Sequence, residues 1–144
     1  MAFWNEEIET MSREELEKMQ LRLLKEKITE MYAKSKFFKK RMDEAGLKPE
    51  DINSFEDFRK VPFMKKTDLR DNYPDGLFVV PYDDIIRVHV SSGTTGKPTV
   101  VGYTQKDLDN WTEALARGMT SFGLTKKDMV QNMFMFGFCR RDRL

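Results

Sequence analysis

A stretch rich in hydroxyl and glycine residues is the part of the sequence best suited to chemistry. It reads Ser91, Ser92, Gly93, Thr94, Thr95, Gly96 and Lys97, followed by Pro98 and Thr99. Glycines let consecutive backbone N–H groups converge, hydroxyls are short hydrogen-bond donors, and a lysine adds a mobile positive charge. We interpret Ser91–Lys97 as a candidate phosphate loop. The alternative is a flexible turn, because the same residue types are common in turns.

The loop differs from a Walker A loop in ways that affect how it would bind phosphate. Two residues separate Gly93 from Gly96, and Pro98 follows Lys97. A Walker A loop has four residues between its glycines and a Lys-Ser/Thr pair that opens a helix. The following β-branched run favours a strand. We therefore expect the loop to lie at the tip of a hairpin that joins residues 85–90 to residues 99–104, without a helix dipole beneath the anion.

The strand before the loop contains the only histidine. Ile86, Val88 and Val90 alternate with polar residues, so one face of the strand is predicted to be apolar and the other polar. His89 lies on the polar face, where it is either a proton or phosphate contact or an ordinary strand residue. We favour the ordinary strand residue, because the sequence places no second catalytic group beside it. No catalytic residue and no metal ligand is assigned, since one His and one Cys are too few for a zinc site.

The elements that position the loop predict an α/β fold with an N-terminal helical region over residues 1–76. Ser12 and Glu15 form a capping-box pattern, Ser35 is a cap for a second helix, and Gly46 suits its end. The first helix carries one apolar stripe that we expect to pack: Leu16, Met19, Leu23, Ile28, Met31 and Tyr32. Residues 47–53 read as a turn, and shorter helices are predicted from Ser54 and near Thr67.

Residues 77–137 are predicted to start an α/β domain with the hairpin, a helix and a strand. Thr104 and Asp107 cap the helix. Its apolar positions recur at spacings of three and four: Leu108, Trp111, Leu115, Met119 and Phe122. The apolar run over residues 129–136 has the length of a strand, which would make a parallel pair with an earlier strand. Residues 138–144 form a third segment, an aberrant tail.

Composition excludes several classes of partner. The 144 residues include 25 basic and 24 acidic ones, a net charge of +1, which does not favour nucleic acid or an anionic membrane. No run of about 18 apolar residues is present, and the N-terminus lacks a basic signal-peptide start. A single cysteine excludes an internal disulfide. We therefore expect a cytoplasmic protein without a membrane partner.

The loop and its surroundings resemble one family of enzymes. Val90–Pro98 is similar to the first signature loop of adenylate-forming acyl-CoA synthetases, luciferases and nonribosomal adenylation domains. The wider context closely resembles the phenylacetate-CoA ligase family: residues 61–63, 66–74, 76–78 and 91–104. The similarity reaches to about residue 137, which corresponds to the first third of such an enzyme. Asp75 departs from the aromatic residue that the family usually has there.

The resemblance implies an AMP-forming arylacetate-CoA ligase. Such an enzyme converts ATP, phenylacetate and coenzyme A into phenylacetyl-CoA, AMP and pyrophosphate. Ser91–Lys97 would wrap the β- and γ-phosphates of ATP, with Mg²⁺ sharing their charge. Thr94 and Thr95 are the first choices for side-chain contacts, and Lys97 for the mobile cation. A homodimer is a further option.

The C-terminal segment departs from the family pattern. Three arginines and an aspartate follow a run typical of a buried strand. We hypothesise a frameshifted or truncated gene, in which the chain keeps the ATP phosphate loop and is inactive alone. The alternatives are a non-catalytic nucleotide- or phosphate-binding module and an assembly module.

Overall fold

A computed structural model describes residues 2–91, 98–131 and 133, and these residues divide into two compact units. The helical unit runs from Met11 to Pro81. The hairpin unit combines residues 2–10 with the described residues from Tyr82 onward. The boundaries that the sequence suggested near residues 76 and 137 stay predictions, and the tail over 138–144 lies outside the described residues.

The described helices and strands follow one another in chain order. They are α1 (Glu6–Glu9), α2 (Arg13–Lys34), α3 (Lys36–Glu44), α4 (Phe55–Phe58), α5 (Lys66–Asp71), β1 (Arg87–Val90), β2 (Val100–Tyr103) and α6 (Gln105–Ser121). Two 3₁₀ turns lie between them, Pro49–Asp51 and Tyr82–Asp84.

The first long helix starts at the predicted capping box. The Glu15 amide donates to Ser12 Oγ at 3.3 Å, and the Ser12 amide donates to the Glu15 carboxylate at 3.3 Å. These bonds satisfy donors that have no partner inside the helix. The predicted start of α2 is confirmed.

Ser35 joins the first helix of the pair to the second. Its amide donates to the Met31 carbonyl at 2.8 Å, and its hydroxyl accepts from the Phe38 amide at 3.1 Å. Gly46 ends α3 with φ +68°, a conformation that costs glycine little. The predicted helical hairpin of α2 and α3 is confirmed.

The core of the helical unit is small. It consists of Ile28, Met42 and Ile52, which are 4%, 0% and 0% exposed. Partly buried residues surround them: Leu24, Tyr32, Phe38, Leu47 and Val61. Ile52 comes from the segment that the sequence marked only as a turn. Leu23 is 47% exposed, so its predicted place in the packed stripe is wrong.

A charged cluster ties α3 to the 3₁₀ turn that follows it. The Asp43 carboxylate accepts hydrogen bonds from Lys39 Nζ at 2.6 Å, from Lys48 Nζ and from the Tyr32 hydroxyl. Donation by Lys39, then by Lys48 and Tyr32, holds the pKa of Asp43 well below its usual range. The same carboxylate raises the pKa of Lys48 above its ordinary value. The cluster lies on the surface and therefore contributes little stability.

The hairpin unit contains the predicted hairpin. β1 and β2 pair antiparallel, in a register that runs from Arg87 opposite Tyr103 to Val90 opposite Val100. Within the described residues this is a two-stranded sheet. The described part of the predicted third strand, residues 129–131 and 133, has no regular secondary structure. The parallel pairing stays a prediction.

The helix after the hairpin begins at the predicted cap. The Asp107 amide donates to Thr104 Oγ1 at 3.3 Å, and the Thr104 amide donates to Asp107 Oδ2 at 2.9 Å. Gly123 follows the helix with φ +87°. The apolar stripe of α6, however, is not a buried face, since Leu115 is 54% exposed and Phe122 is 86% exposed. No helix of the described residues is long and apolar enough to cross a membrane.

Candidate functional site

The hairpin brings together Ser91, the first residue of the candidate phosphate loop, and Thr99, which follows the loop. The Ser91 amide donates to the Thr99 carbonyl at 3.0 Å, and the Thr99 amide donates to Ser91 Oγ at 3.3 Å. The two hydroxyls also share a short hydrogen bond. Thr99 is buried and Ser91 is exposed. The loop is therefore closed at its base by a pair of hydroxyl residues that continue the strand register.

Most of the predicted site lies beyond what the structure describes. Ser91 belongs to the described residues, whereas Ser92, Gly93, Thr94, Thr95, Gly96 and Lys97 lie outside them. Their contacts to phosphate stay predictions. Thr99 was not among the predicted site residues. The antiparallel register was the signal that could have identified it, because the residue opposite Ser91 in that register is Thr99.

Side chains on the two faces of the hairpin have different surroundings. Residues directly opposite each other in an antiparallel pair share a face. His89 therefore shares a face with Val101, while Val90 shares the other with Val100. The register places Val88 and Val90 on one face as predicted, whereas the predicted polar face is mixed because Val101 lies opposite His89. Val88 on the apolar face is nevertheless 51% exposed.

His89 belongs to an aromatic cluster beside the loop. Its ring centroid lies 4.9 Å from that of Tyr103 and 5.6 Å from that of Trp111, both in edge-on arrangements. The Tyr103 and Trp111 rings lie 5.5 Å apart. Such distances and angles are favourable for aromatic pairs. The contacts agree with a strand residue held by its neighbours.

A shallow groove runs along this cluster. It has a volume of about 390 Å³ and is lined by Val101, Gly102, Tyr103, Asp107 and Trp111. The sequence marked Trp111 only as part of an apolar helix stripe. The contact between the Trp111 and Tyr103 rings is a tertiary contact. The spacing of apolar residues along a helix does not specify such a contact.

A second cluster, which the sequence did not indicate, fixes the N-terminal segment on α6. The Glu113 carboxylate accepts from Trp4 Nε1 at 2.6 Å, from Asn5 Nδ2 at 3.0 Å and from the Arg117 guanidinium at 2.9 Å. The Trp4 indole, then Arg117 and Asn5, lower the pKa of Glu113. Partners more than 100 residues apart leave no local pattern in the sequence.

The described residues do not supply a metal site. Over 2–91, 98–131 and 133, no group of three or more His, Cys, Asp or Glu side chains is arranged to hold a metal ion.

Comparison with curated proteins identifies the relatives of the chain. It is 46% identical over 131 residues to a phenylacetate-coenzyme A ligase of Thermus thermophilus. The chain is homologous to the N-terminal portion of phenylacetate-CoA ligases. The ligases of Escherichia coli and Aromatoleum evansii are 44% and 46% identical over 130 and 132 residues. These matches cover 90–92% of the chain and 29–30% of each relative. No protein-family model matches the chain.

Solved structures show the same relationship in three dimensions. A 2-hydroxyisobutyryl-CoA ligase in complex with 2-HIB-AMP and CoA, in its thioesterification state, aligns with a TM-score of 0.78 and 35% identity. An open conformation of that ligase aligns with a TM-score of 0.77 and 34% identity. Both alignments cover 85% of the chain, and 27% and 29% of the ligase. The fold of the described residues is therefore that of one part of an acyl-CoA ligase.

Proposed function

We propose that the chain is the N-terminal portion of an AMP-forming phenylacetate-CoA ligase and carries its ATP phosphate loop. The overall reaction would join phenylacetate to coenzyme A and convert ATP to AMP and pyrophosphate. The observation that supports this most directly is 43–46% identity to four phenylacetate-coenzyme A ligases over about 90% of the chain. Because the chain spans about 30% of their length, the activity, the substrates and the partners of the whole enzyme are part of the proposal.

The hairpin gives the proposed phosphate loop a firm base. Each of the Ser91 and Thr99 amides donates a hydrogen bond to the other residue, and the two hydroxyls are hydrogen-bonded to each other. The two ends of the loop are therefore held together. A loop with fixed ends loses less conformational freedom when it closes on an anion than an open segment does. This arrangement supports binding of phosphate by Ser91–Lys97.

The residues of the loop would act by binding and charge stabilisation. Backbone N–H groups around Gly93 and Gly96 and the hydroxyls of Thr94 and Thr95 would donate to the phosphate oxygens. Lys97 would offset the negative charge of the leaving pyrophosphate. Each charge-assisted hydrogen bond of this kind contributes roughly 1.5–3 kcal/mol.

The acid substrate is proposed from the relatives. The curated relatives are ligases of phenylacetate, whereas the aligned structures are of a ligase of 2-hydroxyisobutyrate at 32–35% identity. The higher identity favours an arylacetate. ATP and coenzyme A would be met in the cytoplasm, in line with the location expected from the sequence.

Titration of inorganic pyrophosphate and of ATP–Mg²⁺ into the chain tests the loop. We expect binding by the chain and a loss of about tenfold in Thr95→Ala, because one hydroxyl donor is worth roughly 1.4 kcal/mol here. Thr29→Ala is the matched control, since Thr29 lies exposed on α2 and its hydroxyl bonds the Lys25 carbonyl of the same helix. Equal affinities of the chain and of Thr95→Ala would refute the assignment of Thr95.

Phenylacetate-dependent exchange of pyrophosphate into ATP tests whether the chain is active alone. We propose that it is inactive, because the portion it shares with the ligases is less than a third of their length. Exchange by the chain above the level of Thr95→Ala would contradict this. If the chain binds pyrophosphate but supports no exchange even when it is combined with the remaining portion of a ligase, the alternative of a phosphate-binding module would be favoured.

A further inference from the structure

One face of the hairpin is apolar and open. We call Ile86, Val88, Val90 and Val100 the valine face. The register places Val90 opposite Val100, and alternation places Ile86 and Val88 on the same side. Ile86 is 52% exposed and Val88 is 51% exposed, and the other two are half-buried.

The opposite face of the hairpin has a cover. His89 and Tyr103 on that face contact the Trp111 ring of α6. Among the described residues, the hairpin therefore packs a helix against its mixed face, whereas Ile86 and Val88 on its aliphatic face stay about half exposed. An antiparallel sheet that faces water on one side ordinarily turns its polar side to the water. The orientation seen here is the reverse.

The open face lies in the hairpin unit, whose described residues include no buried hydrophobic side chain. The buried hydrophobic residues of the described chain, Ile28, Met42 and Ile52, all belong to the helical unit. A two-stranded hairpin is only marginally stable by itself and gains stability when an apolar face is packed. Contiguous exposed apolar residues of this kind mark a surface that another part of a protein covers.

We propose that the valine face docks the remaining, larger portion of an adenylate-forming ligase of the phenylacetate-CoA ligase type. The inference rests on the proposed function. In the curated relatives and in the aligned ligase structures, the matching portion belongs to a chain more than three times as long, since it makes up 26–30% of it. The valine face carries no charge, so it fits an apolar layer of that larger portion.

Mixing the chain with the complementary part of a relative tests the docking. The probe is the Thermus thermophilus phenylacetate-CoA ligase from which the portion matched by this chain has been removed. Binding is measured by sedimentation velocity and by titration. We expect a one-to-one complex.

Two variants locate the contact. Val88→Lys and Ile86→Lys each place a charge on the valine face, and we expect each to weaken the complex by about tenfold or more, because a buried unpaired ammonium group is costly. Leu23→Lys is the matched control. Leu23 is 47% exposed, close to the 51% of Val88, and lies on α2 of the helical unit. We expect Leu23→Lys to bind like the unchanged chain, and circular dichroism to be alike for all four proteins.

A fused protein answers the same question if the probe is insoluble by itself. This chain replaces the matched portion of the Thermus thermophilus ligase, and the melting temperature of the fusion is compared with that of the 144-residue chain. We expect Val88→Lys to lower the melting temperature of the fusion by several degrees and to leave that of the chain alone nearly unchanged.

The outcomes separate the docking surface from the proposed function. Equal binding by Val88→Lys and the unchanged chain, no binding of a folded probe, or equal shifts in the fusion and the chain would overturn the docking surface. Self-association that Val88→Lys abolishes would overturn it in favour of a second copy of this chain. A complex or fusion that assembles through the valine face but catalyses no exchange would leave the docking surface standing and refute the ligase function.

Discussion

The helical unit and the hairpin unit differ in how their apolar residues are used. The helical unit buries Ile28, Met42 and Ile52 between its helices and a 3₁₀ turn. The hairpin unit carries the base of the candidate phosphate loop, yet Val88 and Leu115 are more than half exposed. The unit with the buried core has no assigned chemistry, whereas the unit with the candidate site exposes much of its apolar surface among the described residues.

This difference bears on how a ligase portion is organised. Residues that bind a nucleotide often lie where several elements meet, and such elements are not obliged to form a core separately. The helical unit packs its apolar residues around Ile28, Met42 and Ile52. The hairpin unit relies on hydrogen bonds at the loop base and on aromatic contacts, so we expect changes in the two units to have different consequences.

The largest expected difference concerns the removal of apolar side chains. Met42→Ala should lower the free energy of unfolding by about 2–5 kcal/mol, because it removes a fully buried side chain and leaves a cavity. Leu115→Ala should change it by less than about 0.5 kcal/mol, since Leu115 is 54% exposed. Urea unfolding followed by circular dichroism measures both. Similar losses in the two variants would contradict the contrast between the units.

The next largest effect concerns the helix junction in the helical unit. Ser35→Ala should cost about 1–2 kcal/mol, because the Phe38 amide loses its hydroxyl partner at a buried position. Ser121→Ala is the control in the hairpin unit, where the exposed hydroxyl donates to the Gly118 carbonyl at 2.7 Å and caps nothing. Thermal unfolding compares them. A greater loss in the Ser121 variant would argue against Ser35 as the joint between α2 and α3.

Two glycine substitutions should have opposite signs. Gly46→Ala should lower stability by about 1 kcal/mol, because its φ of +68° is unfavourable for alanine although no atom lies near the added Cβ. Gly118→Ala should raise stability by about 0.5–1 kcal/mol, because Gly118 lies inside α6 and open space surrounds its Cβ position. Melting temperatures would check both, and a change of the same sign would contradict the conformational explanation.

The smallest effect is the pH dependence that Glu30 gives to the helical unit. Hydrogen bonds from Lys27, then from Lys34, lower the pKa of Glu30 from its usual 4.5 to about 2. A carboxyl with a lowered pKa stabilises the folded state above about pH 4.5 and loses that contribution as the pH falls towards 2. The difference in unfolding free energy between the chain and Glu30→Gln should therefore shrink over that window. A difference that stays constant from pH 6 to pH 2 would contradict the assignment.

Local sequence signals predicted the starts of the main helices and the hairpin. Ser12, Ser35 and Thr104 begin helices at the expected positions because an N-cap depends on residues within one turn. α5 begins at Lys66, one residue before the expected Thr67. There the Asp68 carboxylate accepts from the Lys65 amide at 2.6 Å.

Features that depend on tertiary contacts were predicted less well from the sequence than the helix starts were. Ile52 is fully buried although it lies beside a 3₁₀ turn. Leu115 and Phe122 of the α6 stripe are more than half exposed although the periodicity is that of an amphipathic helix. Periodicity identifies an apolar face and does not specify what packs against it. The aromatic cluster of His89 required the strand register, and of the candidate loop only Ser91 lies within the described residues.

The most direct test of the account is phenylacetate-dependent pyrophosphate exchange by the chain alone and after addition of the complementary portion of the Thermus thermophilus ligase. The account predicts no exchange from either part alone, exchange from the mixture, and a loss of at least about tenfold when the chain carries Thr95→Ala. Exchange by the chain alone, or an assembled mixture without exchange, would contradict it.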